Sequence, residues 1–544
     1  MKRPALYPVP CYEDFYTLLT VSAQRYGDRP ALSQYTRKGE LCQHSYQQLQ
    51  DDVLALSEAL RASGLAGCHI AVAGENSYTW LVAFLAIVTS GGVCVCVDIE
   101  QPDEVIRHMI LQADCTAAFV SPSIGPLCLP LEAEGLRLIG LEEQQTSSLI
   151  AQGRARLASG PLRTISQPPD PNQTAVIVYT SGTTSTSKPV MLTQRGLLTN
   201  ATDAVRLVDP GEVFFTSLPL YHAFGLNMAV LDVLILGRHV VLNGNLRTTM
   251  RDLGLTKPDT MASVPLMLET LLQFLWTQVG SSNCGGQISK WVRRGRFRKK
   301  LGRSPKVDAL AAVKEQWFGP LAWTVCGGAH VDLALMEELE LFGITVLQGY
   351  GITECAPLIS VNATRANRPG SVGLVIPNCQ VRIEDGEVLV SGPCVMKGYY
   401  RAPELTAAAF EGVWFRTGDL GYLDKDGFLY ITGRKKNLIV FKNGKKISPE
   451  TLEARLAALP LVKEVVVTGA ANGTATDDVK LAATICPDPT QTAGMSAYEI
   501  LEALQRDIDQ INAKLPTYQQ IQLIHIRDTE FEKTSFKKIK RSAI

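Results

Sequence analysis

Tyr179-Thr180-Ser181-Gly182-Thr183-Thr184-Ser185-Thr186-Ser187-Lys188 follows directly on the apolar run Ala175-Val176-Ile177-Val178. The apolar run reads as a buried strand. It gives way to a chain of small hydroxyl residues with one glycine, closed by a lysine. Backbone N–H groups and hydroxyls in such a turn wrap phosphate oxygens, and the lysine adds a point positive charge. The spacing is not that of a G-x-x-x-x-G-K-[ST] loop. A Ser/Thr-rich linker is the competing reading, but linkers rarely begin directly after a buried strand.

Outward from this segment, short apolar strands alternate with helical patterns. His69–Ala73, Val93–Val97 and Val213–Leu218 are strand-like, while Thr79–Val88 and Leu226–Leu236 are helix-like. The alternation predicts α/β layers with largely parallel sheets. From Val381 to Tyr430 the pattern shifts to short strands broken by Glu384-Asp385-Gly386 and Asp424-Lys425-Asp426-Gly427, which predicts a small antiparallel β subdomain. A basic, turn-rich segment runs from Arg434 to Lys446. Beyond it come a helix opened by Ser448 and Pro449, a strand over Val462–Val467 and a helix over Ala497–Lys514. The expected division is a large domain over residues 1–435 and a small α+β domain over 436–544.

Composition narrows the function classes. A chain of 544 residues exceeds one hydrophobic core, and 53 Lys+Arg balance 53 Asp+Glu, so bulk charge gives no reason to expect a nucleic-acid partner. Thirteen cysteines without metal-ligand spacing predict free thiols and a cytoplasmic protein. Lys2 and Arg3 precede no apolar core, unlike a signal peptide. The stretch Trp80–Ile99 is interrupted by Thr89-Ser90-Gly91-Gly92, so it reads as a buried helix turning into a strand.

Four further segments carry chemistry. Tyr350-Gly351-Ile352-Thr353-Glu354 sets an aromatic ring, a hydroxyl and a carboxylate at the end of the strand-like Ile344–Leu347, a combination suited to a base and a metal–phosphate group. Gly327-Gly328-Ala329 ends another strand, where small residues let a flat ring approach. Leu218-Pro219-Leu220-Tyr221-His222-Ala223-Phe224-Gly225 places a histidine at a strand-to-helix junction. Trp414-Phe415-Arg416-Thr417-Gly418-Asp419 presents a carboxylate that can accept two hydroxyl hydrogen bonds.

Together these segments resemble the acyl-adenylate-forming superfamily, over nearly the whole chain. The resemblance implies that Thr180, Ser181, Gly182, Thr183, Thr184 and Lys188 form the phosphate loop, with Thr184 and Glu354 at Mg²⁺. It implies that Tyr350 and Gly351 meet adenine, with Gly327, Gly328 and Ala329, and that Thr353 meets the α-phosphate. Asp419 and Arg434 hold the ribose. His222 orients the substrate carboxylate, with Gly225 leaving room for the acyl chain. Lys436 is the hinge, Gly444 belongs to the segment that admits the thiol, and Lys538 in Lys533-Thr534-Ser535-Phe536-Lys537-Lys538-Ile539 catalyses adenylation. Three positions depart from the pattern. Ser185 stands for a glycine, Pro189 follows Lys188 where a glycine is usual, and Lys537 replaces the glycine before Lys538.

The reaction so implied takes ATP, Mg²⁺ and a fatty or other apolar carboxylic acid to acyl-AMP, then passes the acyl group to coenzyme A. Alternatives are transfer to a carrier-protein phosphopantetheine, a luciferase-like oxidase, an amino-acid-activating domain with Asp232 at the substrate amine, and a non-catalytic acyl-adenylate sensor. Residues 287–306 are strongly basic with apolar positions interleaved, similar to the basic insertion of the long-chain acyl-CoA synthetases. Such a segment can cover the acyl tunnel or lie on anionic lipid, and only the second alternative would place the protein peripherally at the inner membrane face. The register of the tail predicts that Lys538→Ala abolishes acyl-AMP formation and spares thioester formation from supplied acyl-AMP. Half-reaction assays check this, and equal loss of both steps counts against the assignment.

Overall fold

The fold was taken from a computed structural model, which describes residues 4–159, 169–180, 187–281, 287–300, 302, 304–441, 445–471, 479–533, 539 and 541. The large N-terminal part holds two layered α/β sheets and an antiparallel β unit. The first sheet has seven strands, in the order Gly398–Tyr399, Pro189–Thr193, Thr174–Tyr179, Val93–Cys96, His69–Ala73, Ala117–Val120 and Arg137–Gly140. The last five are parallel; Pro189–Thr193 folds back antiparallel on Thr174–Tyr179. The second sheet has nine strands, and its parallel centre is Thr345–Gly351, Trp323–Cys326, Thr260–Ser263, Val213–Thr216, His239–Leu242 and Pro30–Tyr35.

The helix Tyr78–Thr89 touches strands of both sheets, and all but one of its 12 residues are buried. A helix apolar on every side belongs inside a protein or a membrane, and here Trp80 and Phe84 sit in the core cluster that both sheets share. Among the described residues no helix is long and apolar enough to cross a membrane. The described cysteines are all free thiols.

Gln380–Glu384, Glu387–Ser391, Trp414–Leu423 and Leu429–Arg434 form the predicted antiparallel unit. The C-terminal part has its own core, drawn from residues between Ile439 and Ile526. Its three strands, Val462–Ala471, Val479–Pro487 and Ile521–Ile526, pack with the helices Pro449–Ala457 and Ala497–Asn512. The second helix is started by a capping box. The Ser496 side chain accepts from the Glu499 N–H while Glu499 accepts from the Ser496 N–H. At the first, Ser448 stands at the N-cap as expected but makes no cap bond; its hydroxyl donates to Glu450 instead.

Two differences from the sequence reading bear on the site. The strand expected to end at Leu347 runs on to Gly351, because residues 349–351 pair antiparallel with Leu358–Val361. Tyr350 is therefore fixed on a strand. The helix over Leu226–Leu236 begins earlier, with His222 as N-cap, and passes through a π turn at Asn227–Leu231.

Candidate active site

Asp419 lies on the strand Trp414–Leu423 opposite Arg434 of the neighbouring strand. Its side chain is buried, and both oxygens are engaged: Oδ2 accepts from the Tyr350 hydroxyl at 2.7 Å, and Oδ1 pairs with Arg434 Nε at 3.0 Å. Burial, reinforced by the charge of Asp419, raises the Tyr350 phenol well above its ordinary value, so it remains a donor. The Asp419 N–H donates to Thr417 Oγ1 (3.0 Å), and that hydroxyl donates to the Val388 carbonyl (2.7 Å). Gly418 turns the strand with φ +71°, a conformation glycine adopts without strain.

Thr353 and Glu354 form a short 3₁₀ turn after the extended strand. Glu354 Oε1 accepts from the Tyr399 hydroxyl at 2.9 Å, and Lys188 Nζ sits 4.8 Å above the Tyr399 ring. Tyr399 thus joins the carboxylate of one segment to the lysine of another. Thr180 and Lys188 are joined by reciprocal bonds: Thr180 N–H to the Lys188 carbonyl at 3.0 Å and Lys188 N–H to Thr180 Oγ1 at 3.1 Å. Ser181, Gly182, Thr183 and Thr184 lie outside the described residues, as do Gly444 and Lys538.

The turn after Glu354 is held from below by two fully buried asparagines. Asn200 Nδ2 donates to the Leu358 carbonyl (2.7 Å) and its Oδ1 accepts the Leu358 N–H (3.1 Å); Asn227 Nδ2 donates to the Ala356 carbonyl (2.5 Å). Neither residue was singled out from the sequence. For Asn227 the signal is an amide heading the apolar run Met228–Leu231; Asn200, among Thr199, Thr202 and Asp203, has none.

His222 is buried, with Nε2 3.8 Å from Asp98 Oδ2. Burial lowers its pKa to about 4 against the opposing pull of Asp98, so the ring is neutral at pH 7. Asp98, just past the strand Val93–Cys96, is a third residue that sequence reasoning missed. It is fixed by the Glu100 N–H (3.0 Å) and Gln101 Nε2 (2.8 Å). Gly225 does not open acyl space. A Cβ there would lie 2.1 Å from the Pro219 carbonyl oxygen, so the glycine serves backbone packing at the junction. A Cβ on Gly327 would meet the Phe224 ring at 3.1 Å, so this glycine packs against the protein's own aromatic side chain. Gly328 has φ +85°, and Ala329 follows it into the same strand-end turn.

Asp232 lies ten positions past His222 in the sequence. Burial raises its carboxyl pKa to about 8, although the Val233 N–H donates to it at 2.8 Å. Lys436 sits in the 3₁₀ turn Lys435–Asn437; burial, then the charge of Arg434, lowers its pKa, with Lys188 adding to the effect and Asp419 opposing it. Lys188 from one segment and Arg434 and Lys436 from another thus bring cationic charge to the place where Asp419 lies. Such a cluster suits a polyanion.

The AMP-binding enzyme family matches residues 19–400, and the C-terminal domain of AMP-binding enzymes matches residues 436–544. The chain belongs to this adenylate-forming family. Within it, the chain is an AMP-forming acid–thiol ligase by likeness to curated relatives. It is 30% identical to the long-chain-fatty-acid–CoA ligase FadD15 of Mycobacterium bovis, over 74% of this chain and 71% of that one. It is 27% identical to the chloroplastic long-chain-fatty-acid–[acyl-carrier-protein] ligase AEE15 of Arabidopsis thaliana, over 82% and 73%. The fold matches the o-succinylbenzoate coenzyme A synthetase of Bacillus subtilis in complex with ATP and magnesium, with TM-score 0.74, 22% identity and coverage of 96% and 98%.

The titration of Asp232 gives a test of this interior. Its folded pKa of about 8 is raised above the unfolded value. Between the two, the folded chain binds the extra proton, and stability falls as pH rises by up to ~1.4 kcal/mol per pH unit. Asp232→Asn removes that slope. In denaturant titrations its stability relative to the parent should climb from pH 5 to pH 8.5; a gap independent of pH contradicts the buried neutral carboxyl.

Proposed function

We propose that the chain activates a long-chain fatty acid with ATP, releasing pyrophosphate and forming acyl-AMP, and then transfers the acyl group to the thiol of coenzyme A. The observation carrying the nucleotide half is the buried Asp419 carboxylate with Tyr350 and Arg434 on its two oxygens. A carboxylate so fixed can take a ribose diol, with the Tyr350 ring at the base. The likeness to FadD15 carries the fatty acid.

Glu354 fits Mg²⁺: it is a hard carboxylate held by one hydroxyl, and Mg²⁺ is bound through one or two carboxylates together with substrate phosphates. When bound, the ion supplies positive charge against the charge growing on the phosphate oxygens. The rest of the work belongs to the chain. Thr180 to Thr184 and Lys188 cradle the pyrophosphate, Thr353 contacts the α-phosphate, and Lys538 stabilises the charge developing during attack. A fatty carboxylate is already ionised at pH 7, so no general base is needed. A neutral His222 can orient it without competing for its charge.

The domains we assign are 1–435 and 436–544, with rotation at Lys436 removing Lys538 and bringing the Gly444 segment to admit the thiol. Purified protein should exchange labelled pyrophosphate into ATP with fatty acids far faster than with aryl or amino acids. It should form thioester with coenzyme A. Exchange with no organic acid refutes the reading, and thioester formed only with a holo carrier protein moves the acceptor to the alternative.

The basic insertion gives this reading a place to work. In the helix Ile288–Lys300, Trp291 and Val292 pack toward the core while Lys299 pairs with Glu337 and Glu340. The outer stripe is Lys290, Arg293, Arg294 and Phe297, at helical i, i+3, i+4, i+7 spacing, and Phe297 is 62% exposed. An aromatic ring among cations suits an anionic lipid surface, where fatty acid is delivered. Each arginine there is worth about 1 kcal/mol. Replacing Arg293 and Arg294 by alanine should weaken binding to phosphatidylserine vesicles roughly thirtyfold; a parent protein that ignores such vesicles removes the membrane contact.

A further inference from the structure

Glu387 opens the strand Glu387–Ser391 and is buried, its side chain 3% exposed, far from the phosphate loop in sequence. Nothing in the nucleotide or acyl chemistry uses it, yet it holds three groups. Oε2 accepts from Arg416 Nη2 at 2.6 Å and from Lys435 Nζ at 2.8 Å, and Oε1 accepts the Gly418 N–H at 3.2 Å. Gly418 is the residue before Asp419, and Lys435 is the residue before Lys436. One buried carboxylate therefore ties the loop of the ribose carboxylate to the upstream end of the hinge.

The downstream end is tied to the small domain. Asn437 Nδ2 donates to Glu450 Oε1 at 2.6 Å, and Ser448 Oγ donates to Glu450 Oε2 at 2.5 Å. Glu450 lies on the helix Pro449–Ala457 of the small domain's own core. Gly433 lets that helix start approach the strand Leu429–Arg434; a Cβ on Gly433 would lie 1.8 Å from Ser448 Oγ. Lys435 is thus bonded to the large domain and Asn437 to the small one, with Lys436 between them in the chain.

We propose that Glu387 is a positioning residue for the two-step reaction: through Lys435 it fixes the upstream end of the pivot, confines the domain rotation to Lys436, and couples that pivot to the loop that carries Asp419. The proposal rests on the two-step reading of the function. An exposed Lys–Glu pair contributes little, but here the carboxylate is buried. Burial pushes its pKa up, and the bonds from Lys435 and Arg416 outweigh that and hold it below the usual range. Removing Lys435 leaves Glu387 held by Arg416 and Gly418, so the fold survives while the hinge loses its anchor.

The test separates the half-reactions in Lys435→Met, Lys435→Arg and Glu387→Gln. Lys435→Met should leave pyrophosphate exchange and the KM for ATP within about twofold of the parent, and slow thioester formation from supplied acyl-AMP about tenfold or more. Lys435→Arg, which restores the ion pair, should recover most of that loss. Glu387→Gln should slow the thioester step and also raise the KM for ATP, because it loosens the Asp419 loop. The double variant Glu387→Gln/Lys435→Met should match Glu387→Gln in the thioester step. If Lys435→Met matches the parent in both half-reactions, or loses both equally, the proposal is overturned even if Glu387→Gln fails to fold. A parent without pyrophosphate exchange refutes the underlying reading, and the proposal with it; exchange intact with Lys436→Pro normal in thioester formation refutes the hinge alone, and again the proposal falls.

Discussion

A buried carboxylate cannot be left without partners, and Asp419 meets that constraint by drawing three segments together. Tyr350 comes from the nine-stranded sheet, Arg434 from the strand paired with its own, and the Thr417 hydroxyl steers its backbone. The desolvation cost of an ionised group of this kind is several kcal/mol and is offset only by well-placed donors. The antiparallel unit is thereby fixed to the α/β layers at the one point where the proposed nucleotide site needs both. Tyr350 serves twice: its hydroxyl holds the carboxylate while its ring stays on the strand at the place proposed for the base.

The same logic repeats at the next turn of the site. Glu354 is met by Tyr399, Tyr399 carries Lys188 over its ring, and the turn beneath Glu354 is hung from Asn200 and Asn227. Asp419 and Glu354 are thus each held by a tyrosine hydroxyl from another strand. Preorganisation of this sort means that little reorganisation is needed when charge develops in the reaction. Glu387 extends the pattern from this site to the proposed hinge, because its two oxygens address Gly418, next to Asp419, and Lys435 at once.

Much of the layered fold was legible in advance. His69–Ala73 is a strand with the bounds its apolar run implies, and Tyr78–Thr89 is a helix because an all-apolar run of that length, capped by Ser77, has no other stable use inside a protein. The motif residues Lys188, Glu354, Tyr350 and Asp419 were legible because their chemistry and local setting are both local in the chain. Gly225 was misread. Its glycine is required by the Pro219 carbonyl, a contact that a list of residues does not reveal. The π turn at Asn227–Leu231 left no mark either, since i and i+5 pairing depends on what the helix packs against.

The amino-acid sequence alone determined the alternation of strands and helices, the family, and the identity of the charged and hydroxyl residues at the strand ends, because periodicity and short-range spacing are properties of neighbouring residues. Tertiary structure decided which of those residues meet. Asp98 beside His222, the asparagines under Glu354, and Glu387 between Gly418 and Lys435 belong to no local motif that marks them. Their partners lie tens to more than a hundred positions away, and a hydrogen bond at such separation exists only once the sheets have stacked and buried it.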